Sequence, residues 1–87
     1  MKVVAINRLT EAQIKYPAAA KSLGGWYQVL SNGSFASEAD LQATFGDMHG
    51  FNCDFKFPVP GSKLIIHALI NFESQVACIE KILPGNQ

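Results

Sequence analysis

The part of the sequence that decides the fold is an alternating stretch followed by two apolar segments. The alternating stretch is Phe51-Asn52-Cys53-Asp54-Phe55-Lys56-Phe57-Pro58-Val59, in which every second residue is apolar. Successive side chains of a β-strand point to opposite faces, so this period of two predicts a half-buried strand. Residues 63–72 are almost continuously apolar and predict a central strand, and residues 76–83 predict the last one.

The preceding sequence predicts helices. Thr10-Glu11-Ala12-Gln13 has the spacing of a capping box, so we expect a helix to begin there. Pro17 disfavours helical geometry at Tyr16 and suits the first turn of a second helix, which we expect from about Ala18 to Leu30. The segment Lys2–Ile6 is either a short strand or an apolar lead-in to the first helix.

A third, short helix and the strands complete the predicted architecture. Ser37-Glu38-Ala39-Asp40 places acidic residues in a first helical turn, and the helix should stop around Phe45. Helices followed by hairpin-connected strands are typical of the α+β class. We therefore predict a single domain over residues 1–87, with two or three N-terminal helices packed on a three- or four-stranded, mainly antiparallel sheet.

Composition limits the class of protein. A chain of 87 residues with 48% apolar and 16% charged residues can bury one modest core and does not have the composition of a disordered protein. No apolar run is long enough to cross a bilayer, and the N-terminus lacks the apolar segment of a signal peptide, so we expect a cytoplasmic protein without a membrane partner. Cys53 and Cys78 lack the spacing and the histidine partners of a zinc site, which predicts free thiols, no metal and no cofactor.

The charge distribution argues against an ordinary RNA-cutting enzyme. The formal net charge is zero and the chain has one arginine, Arg8, whereas nucleic-acid binding draws much of its affinity from lysine and arginine contacts to phosphates. The stretch from Glu38 to Asp54 carries four acidic residues and no lysine or arginine. It either docks a basic partner or forms a soluble face, and the sequence favours neither.

A few residues are candidates for chemistry, each with a plain structural alternative. His67 can serve as a general base, or it can be a partly buried imidazole inside an apolar strand. Lys56 and Lys63 flank the predicted hairpin, where they can hold phosphate or protect a strand edge from pairing with another chain. Trp26 can stack on a nucleobase, but its helical spacing favours the core, and His49 is interpreted as a solvated loop residue.

Several segments of the sequence match the order and spacing of segments in a known protein family. They are Arg8-Leu9, Lys15-Tyr16-Pro17, Leu23-Gly24-Gly25-Trp26-Tyr27, Phe35-Ala36-Ser37, Asp40-Leu41-Gln42-Ala43-Thr44-Phe45, Phe57 with Gly61, Ala68-Leu69-Ile70-Asn71-Phe72-Glu73-Ser74-Gln75 and Cys78-Ile79-Glu80-Lys81-Ile82. From about Lys2 to Ile82 the sequence resembles the HigB branch of the RelE-like bacterial toxins. The turn at Phe72 to Gln75, with its flanking strands, is the most specific part.

The resemblance implies a toxin of a type II toxin–antitoxin pair. Such a toxin binds a small antitoxin, enters the A site of the ribosome and cleaves messenger RNA. In this reaction the 2′-hydroxyl must lose a proton, and the leaving 5′-oxygen must gain one. The phosphorane between these steps carries additional negative charge. The resemblance implies that cationic and imidazole groups on the sheet transfer the protons and stabilise the charge. The residues that would serve here are Lys56, Lys63, His67 and Lys81.

The sequence departs from this family at the cationic positions. Ile65 and Glu80 stand where the family usually has arginine, and Pro84-Gly85 stands where it usually has Thr-His. Losing cations removes charge stabilisation, so we expect a HigB-like toxin that is weak or inactive in RNA cleavage. The alternatives are a catalytically silent protein-binding module, such as a phage- or mobile-element-encoded inhibitor or regulator, and a nucleic-acid binder without cleavage.

Overall fold

The structure is a computed structural model that describes residues 1–85. Its elements are β1 (Lys2–Val4), α1 (Ile6–Lys15), a 3₁₀ turn (Pro17–Ala19), α2 (Ala20–Asn32), α3 (Glu38–Phe45), β2 (His49–Phe51), β3 (Asp54–Pro58), β4 (Leu64–Asn71) and β5 (Val76–Pro84). The strands form one sheet in the order β1-β5-β4-β3-β2. Strands β2 to β5 form an antiparallel meander, and β1 pairs with β5 in parallel. The predicted α+β class and the mainly antiparallel sheet are confirmed.

The sheet has five strands, more than the three or four that the sequence predicted. The predicted strand over residues 51–59 folds as two strands because Asn52 adopts φ 59°, in the left-handed region that asparagine tolerates. The chain turns at Asn52 and Cys53, so that β2 folds back on β3. The segment after Met1 is the fifth strand, in which Lys2 to Val4 pairs with Val76 to Cys78.

Helix α1 begins one turn earlier than the capping-box spacing predicted. Ala5 adopts φ 63°, which turns the chain directly from β1 into a helix that starts at Ile6. This start brings Leu9 and Ala12 into the core. The Thr10 hydroxyl donates a hydrogen bond to the Ile6 carbonyl at 3.3 Å instead of capping the helix. Packing of the apolar face therefore decides the helix start.

The core lies between the helices and one face of the sheet. Leu23, Trp26 and Leu30 of α2 are buried, and the Trp26 ring meets Phe57 of β3 edge-on at 5.4 Å between centroids. Trp26 is thus a core residue, as its helical spacing predicted. In the described part of the chain, side chains along β3 to β5 alternate between the core and the second face of the sheet, and those on the second face are half-buried or exposed. We call this second face the open face; its members include His49, Asp54, Lys56, Ile65, His67, Leu69, Cys78, Glu80, Lys81 and Leu83.

The turn between β4 and β5 is fixed to the loop before α3 by Gln75. The Gln75 side-chain carbonyl accepts a hydrogen bond from the Phe35 backbone N–H at 3.2 Å. Its amide group donates to the Phe35 and Phe72 carbonyls, the latter at 2.8 Å. Gln75 itself has φ 57°, a costly conformation for a residue with a side chain. These hydrogen bonds offset that cost and lock the turn that sets the β4–β5 pairing.

We expect Gln75→Ala to lower the free energy of unfolding by about 2 kcal/mol, because both backbone groups of Phe35 lose their partner. Gln75→Gly should cost about 1 kcal/mol less than Gln75→Ala, since glycine adopts a positive φ without strain. Urea denaturation measures both values.

Ser74→Ala is the matched control, because the Ser74 side chain is exposed in the same turn. If Gln75→Ala proves as stable as Ser74→Ala, the side chain of Gln75 does not hold the turn.

Candidate functional site

Three of the four predicted site residues lie side by side on the open face. Lys56 of β3 is in register with His67 of β4, and His67 is in register with Lys81 of β5. We call Lys56, His67 and Lys81 the cationic row. Neighbouring strands are about 4.8 Å apart, so the cationic row spans about 10 Å. Lys63 lies in the turn between β3 and β4 and is not part of the row.

One member of this arrangement was missed by sequence reasoning. His49, interpreted as a solvated loop residue, is exposed but belongs to β2 and is in register with Lys56. It lies next to Lys56 on a fourth strand, beyond the end of the row. The Asn52-Cys53-Asp54 segment, near the start of the alternating stretch, could have indicated the turn that makes His49 part of a strand, because its residue types favour a turn.

A β-bulge places a carboxylate beside the row. His67 pairs with Lys81, whereas Ala68 pairs with Ile79, so Glu80 is an additional residue in β5. Ile79 and Ile82 point into the core, and Glu80 and Lys81 between them are both exposed. A bulge of this kind presents two consecutive side chains on the same side of a strand. Glu80 therefore shares the open face with Lys81.

The environment of His67 favours its neutral form. Partial burial lowers the pKa of His67 below its usual 6.5, and the positive charges of Lys81 and Lys56 lower it further. The carboxylates of Asp54 and Glu80 act in the opposite direction but do not reverse the shift. A neutral imidazole at pH 7 has a nitrogen able to accept a proton, which is the requirement for a general base.

The charges and apolar groups around the row limit what it can do. The two lysines that act on His67 are matched by two carboxylates, Asp54 and Glu80, so the site has no excess of positive charge. The next positions along the sheet are apolar, since Ile65 pairs with Leu83. The arrangement can contact a phosphate and accept a proton. It offers little net positive potential to a transition state that gains negative charge.

The residues that the structure describes form neither a metal-binding cluster nor a membrane-spanning helix. Within residues 1–85 no three histidine, cysteine, aspartate or glutamate side chains are grouped so that they could hold a metal ion. Among the same residues, no helix has the length and apolar character needed to cross a membrane. Cys53 is exposed, Cys78 is half-buried, and neither forms a disulfide.

We expect the imidazole of His67 to titrate below 6.5 in an NMR pH titration. Lys81→Gln removes a repelling positive charge, so it should raise that midpoint. Lys63→Gln is the matched control, because Lys63 lies outside the row and its loss should leave the midpoint unchanged.

The same shift has a consequence for stability. Because the pKa of folded His67 is lowered, the unfolded chain takes up a proton first as the pH falls through about 6.5, and stability is lost. The wild type should therefore lose more stability than His67→Gln between about pH 7 and pH 5. An equal loss in both proteins would show that the environment of His67 does not penalise its charged form.

Comparison of the sequence with known proteins does not assign the chain to a family. No protein-family profile matches the chain, and no curated protein matches its sequence significantly. The resemblance to the HigB branch stays a prediction from the ordered motifs.

Proposed function

We propose that this chain is a HigB-like toxin component that binds RNA on its open face and cleaves it weakly or not at all. The observation that carries the proposal is the register of Lys56, His67 and Lys81 on three adjacent strands. These are cationic and imidazole groups of the kind that the resemblance requires on the sheet. The ordered motifs support the toxin–antitoxin role, with a small antitoxin-like protein, the ribosome and messenger RNA as partners.

The row contains the elements of a minimal RNA-cleaving site. Neutral His67 can accept the proton of a 2′-hydroxyl that attacks the adjacent phosphate. Lys56 and Lys81, on either side of His67, can donate hydrogen bonds to the phosphate oxygens, where negative charge develops. After cleavage begins, a protonated group must supply a proton to the leaving 5′-oxygen, and the lysines are the nearest candidates on these strands.

The surroundings explain why cleavage should be slow. Glu80 lies next to Lys81 on the same face and repels a phosphate, and Asp54 has the same effect from β3. Ile65 replaces a potential cation in the neighbouring position of β4 with an aliphatic side chain. Loss of one group that stabilises an oxyanion typically lowers a rate about 100- to 1,000-fold. Two such positions make efficient turnover incompatible with this surface.

Restoring the cations tests this explanation. We expect Ile65→Arg/Glu80→Arg to raise ribosome-dependent cleavage of a messenger RNA by at least about 100-fold over the wild type, because both changes add positive charge beside His67. Primer extension on the transcript measures the cleavage, and growth arrest on expression in bacteria reports it in cells.

Glu73→Arg is the matched control, since it makes the same charge reversal in the exposed β4–β5 turn away from the row. Adding His67→Gln to the double variant should abolish the gained activity. If the wild type cleaves transcripts efficiently, the claim of weak cleavage is wrong. If the wild type binds no RNA at low salt, the proposed RNA-binding role is wrong.

A protein-binding role has separate support from apolar groups on the open face. Leu69 is 38% exposed and Leu83 is 46% exposed, on either side of the cationic row. Ile65 and Cys78, which pair with Leu83 and Leu69, are half-buried on the same face. An apolar surface interrupted by a few charges is typical of the centre of a protein interface. An antitoxin that covers this face would also block access to RNA.

We expect Leu69→Asp/Leu83→Asp to abolish co-purification with the proposed antitoxin-like partner, because each change buries a carboxylate in the interface. Val29→Asp is the matched control, since Val29 is 46% exposed but lies on α2. Retained binding by the double variant would place the partner elsewhere on the surface.

A further inference from the structure

A second group of cations lies beside the cationic row, in a cleft between α1 and the end of β5. Arg8 and Lys15 are about two turns apart on α1, so they lie on the same side of that helix. Both line the cleft, together with Lys81 and Leu83 of β5 and with Tyr16, which follows the helix. Helix α1 packs on β5, which fixes the two walls relative to each other.

The cleft has an excess of positive charge that the row lacks. Arg8, Lys15 and Lys81 contribute three positive charges, and Glu11 is the one carboxylate among the lining residues. The side chain of Lys15 is held near the wall, since its Nζ atom lies 5.6 Å from the centroid of the Tyr16 ring. Arg8 is the single arginine of the chain, and its planar guanidinium suits bidentate contact with a phosphate.

Lys81 connects the cleft to the row. It is the last member of the Lys56–His67–Lys81 row and also lines the cleft. The row alone spans about 10 Å, and a nucleic-acid strand in a helical conformation advances about 3.4 Å per phosphate. The row alone therefore has the length of about three phosphate spacings, and the cleft adds further length to the track.

We propose that the cleft lined by Arg8, Lys15 and Lys81 is a second phosphate subsite for single-stranded RNA, continuous with the cationic row. The inference rests on the proposed RNA-binding function and adds where the strand leaves the sheet. The strand crosses β3, β4 and β5 along the row and passes over the end of β5 onto α1. The net positive charge needed for affinity thus comes from the helix rather than from the sheet.

The salt dependence of RNA binding tests the subsite. Each phosphate contact to single-stranded RNA contributes about 0.7 to the slope of log affinity against log salt concentration. Fluorescence anisotropy with a labelled RNA octanucleotide should give a slope that falls by about 1.4 in Arg8→Gln/Lys15→Gln.

Lys2→Gln/Lys21→Gln is the matched control, because it removes two exposed positive charges outside the cleft. Circular dichroism and thermal melting establish that all variants fold. If the octanucleotide slope falls equally in both double variants, the cleft makes no specific contact and this inference is overturned, while RNA binding by the row stands. If the wild type does not bind the octanucleotide at low salt, the proposed function fails and the subsite with it.

Discussion

The burial of alternate side chains in β4 and β5 is the constraint on which the rest of the structure depends. Ile66, Ile70 and Ile79 are almost fully buried against the helices. Because side chains alternate with a period of two, a shift of one residue in either strand would move these apolar groups to solvent. The register is therefore strongly determined by the core, and with it the positions of His67 and Lys81 on the open face.

The bulge in β5 modifies this constraint at one point. Without the additional residue, the alternation after Ile79 would bring Lys81 to the core side, and Ile82 would face outward. The bulge allows Ile79 and Ile82 both to be buried, and it presents Glu80 and Lys81 together. The charge of the candidate site is thus a consequence of how the last strand packs, in addition to the identity of its residues.

The sequence was informative wherever a periodic apolar pattern dominated. The central strand and the helix break before Pro17 follow from local patterns, and the structure agrees with them. The period-two stretch predicted the alternation along β3 but not the division of that stretch into β2 and β3. The break at Asn52, the parallel pairing of β1 and the bulge at Glu80 depend on contacts between distant segments, and no local pattern reports such contacts.

The candidate site shows the same division. Lys56, His67 and Lys81 were candidates because of their residue types, but their alignment required the register of three strands. Lys63 had an equal claim from sequence and lies outside the row because the hairpin turn extends to it. Arg8 and Lys15 belong to a helix that precedes β2 to β5, and only the packing of α1 on β5 relates them to Lys81.

The two outermost strands of the sheet are its shortest. β1 and β2 have three residues each, while the internal strands β4 and β5 have eight and nine. Edge strands this short present only a short row of unpaired backbone N–H and C=O groups to another chain, and α1 packs on β5, of which β1 pairs only with Val76 to Cys78. The addition of a strand from another chain, which would lead to fibrils, is therefore disfavoured. The central strands are apolar enough to promote such addition if they formed the long edge of a flat sheet.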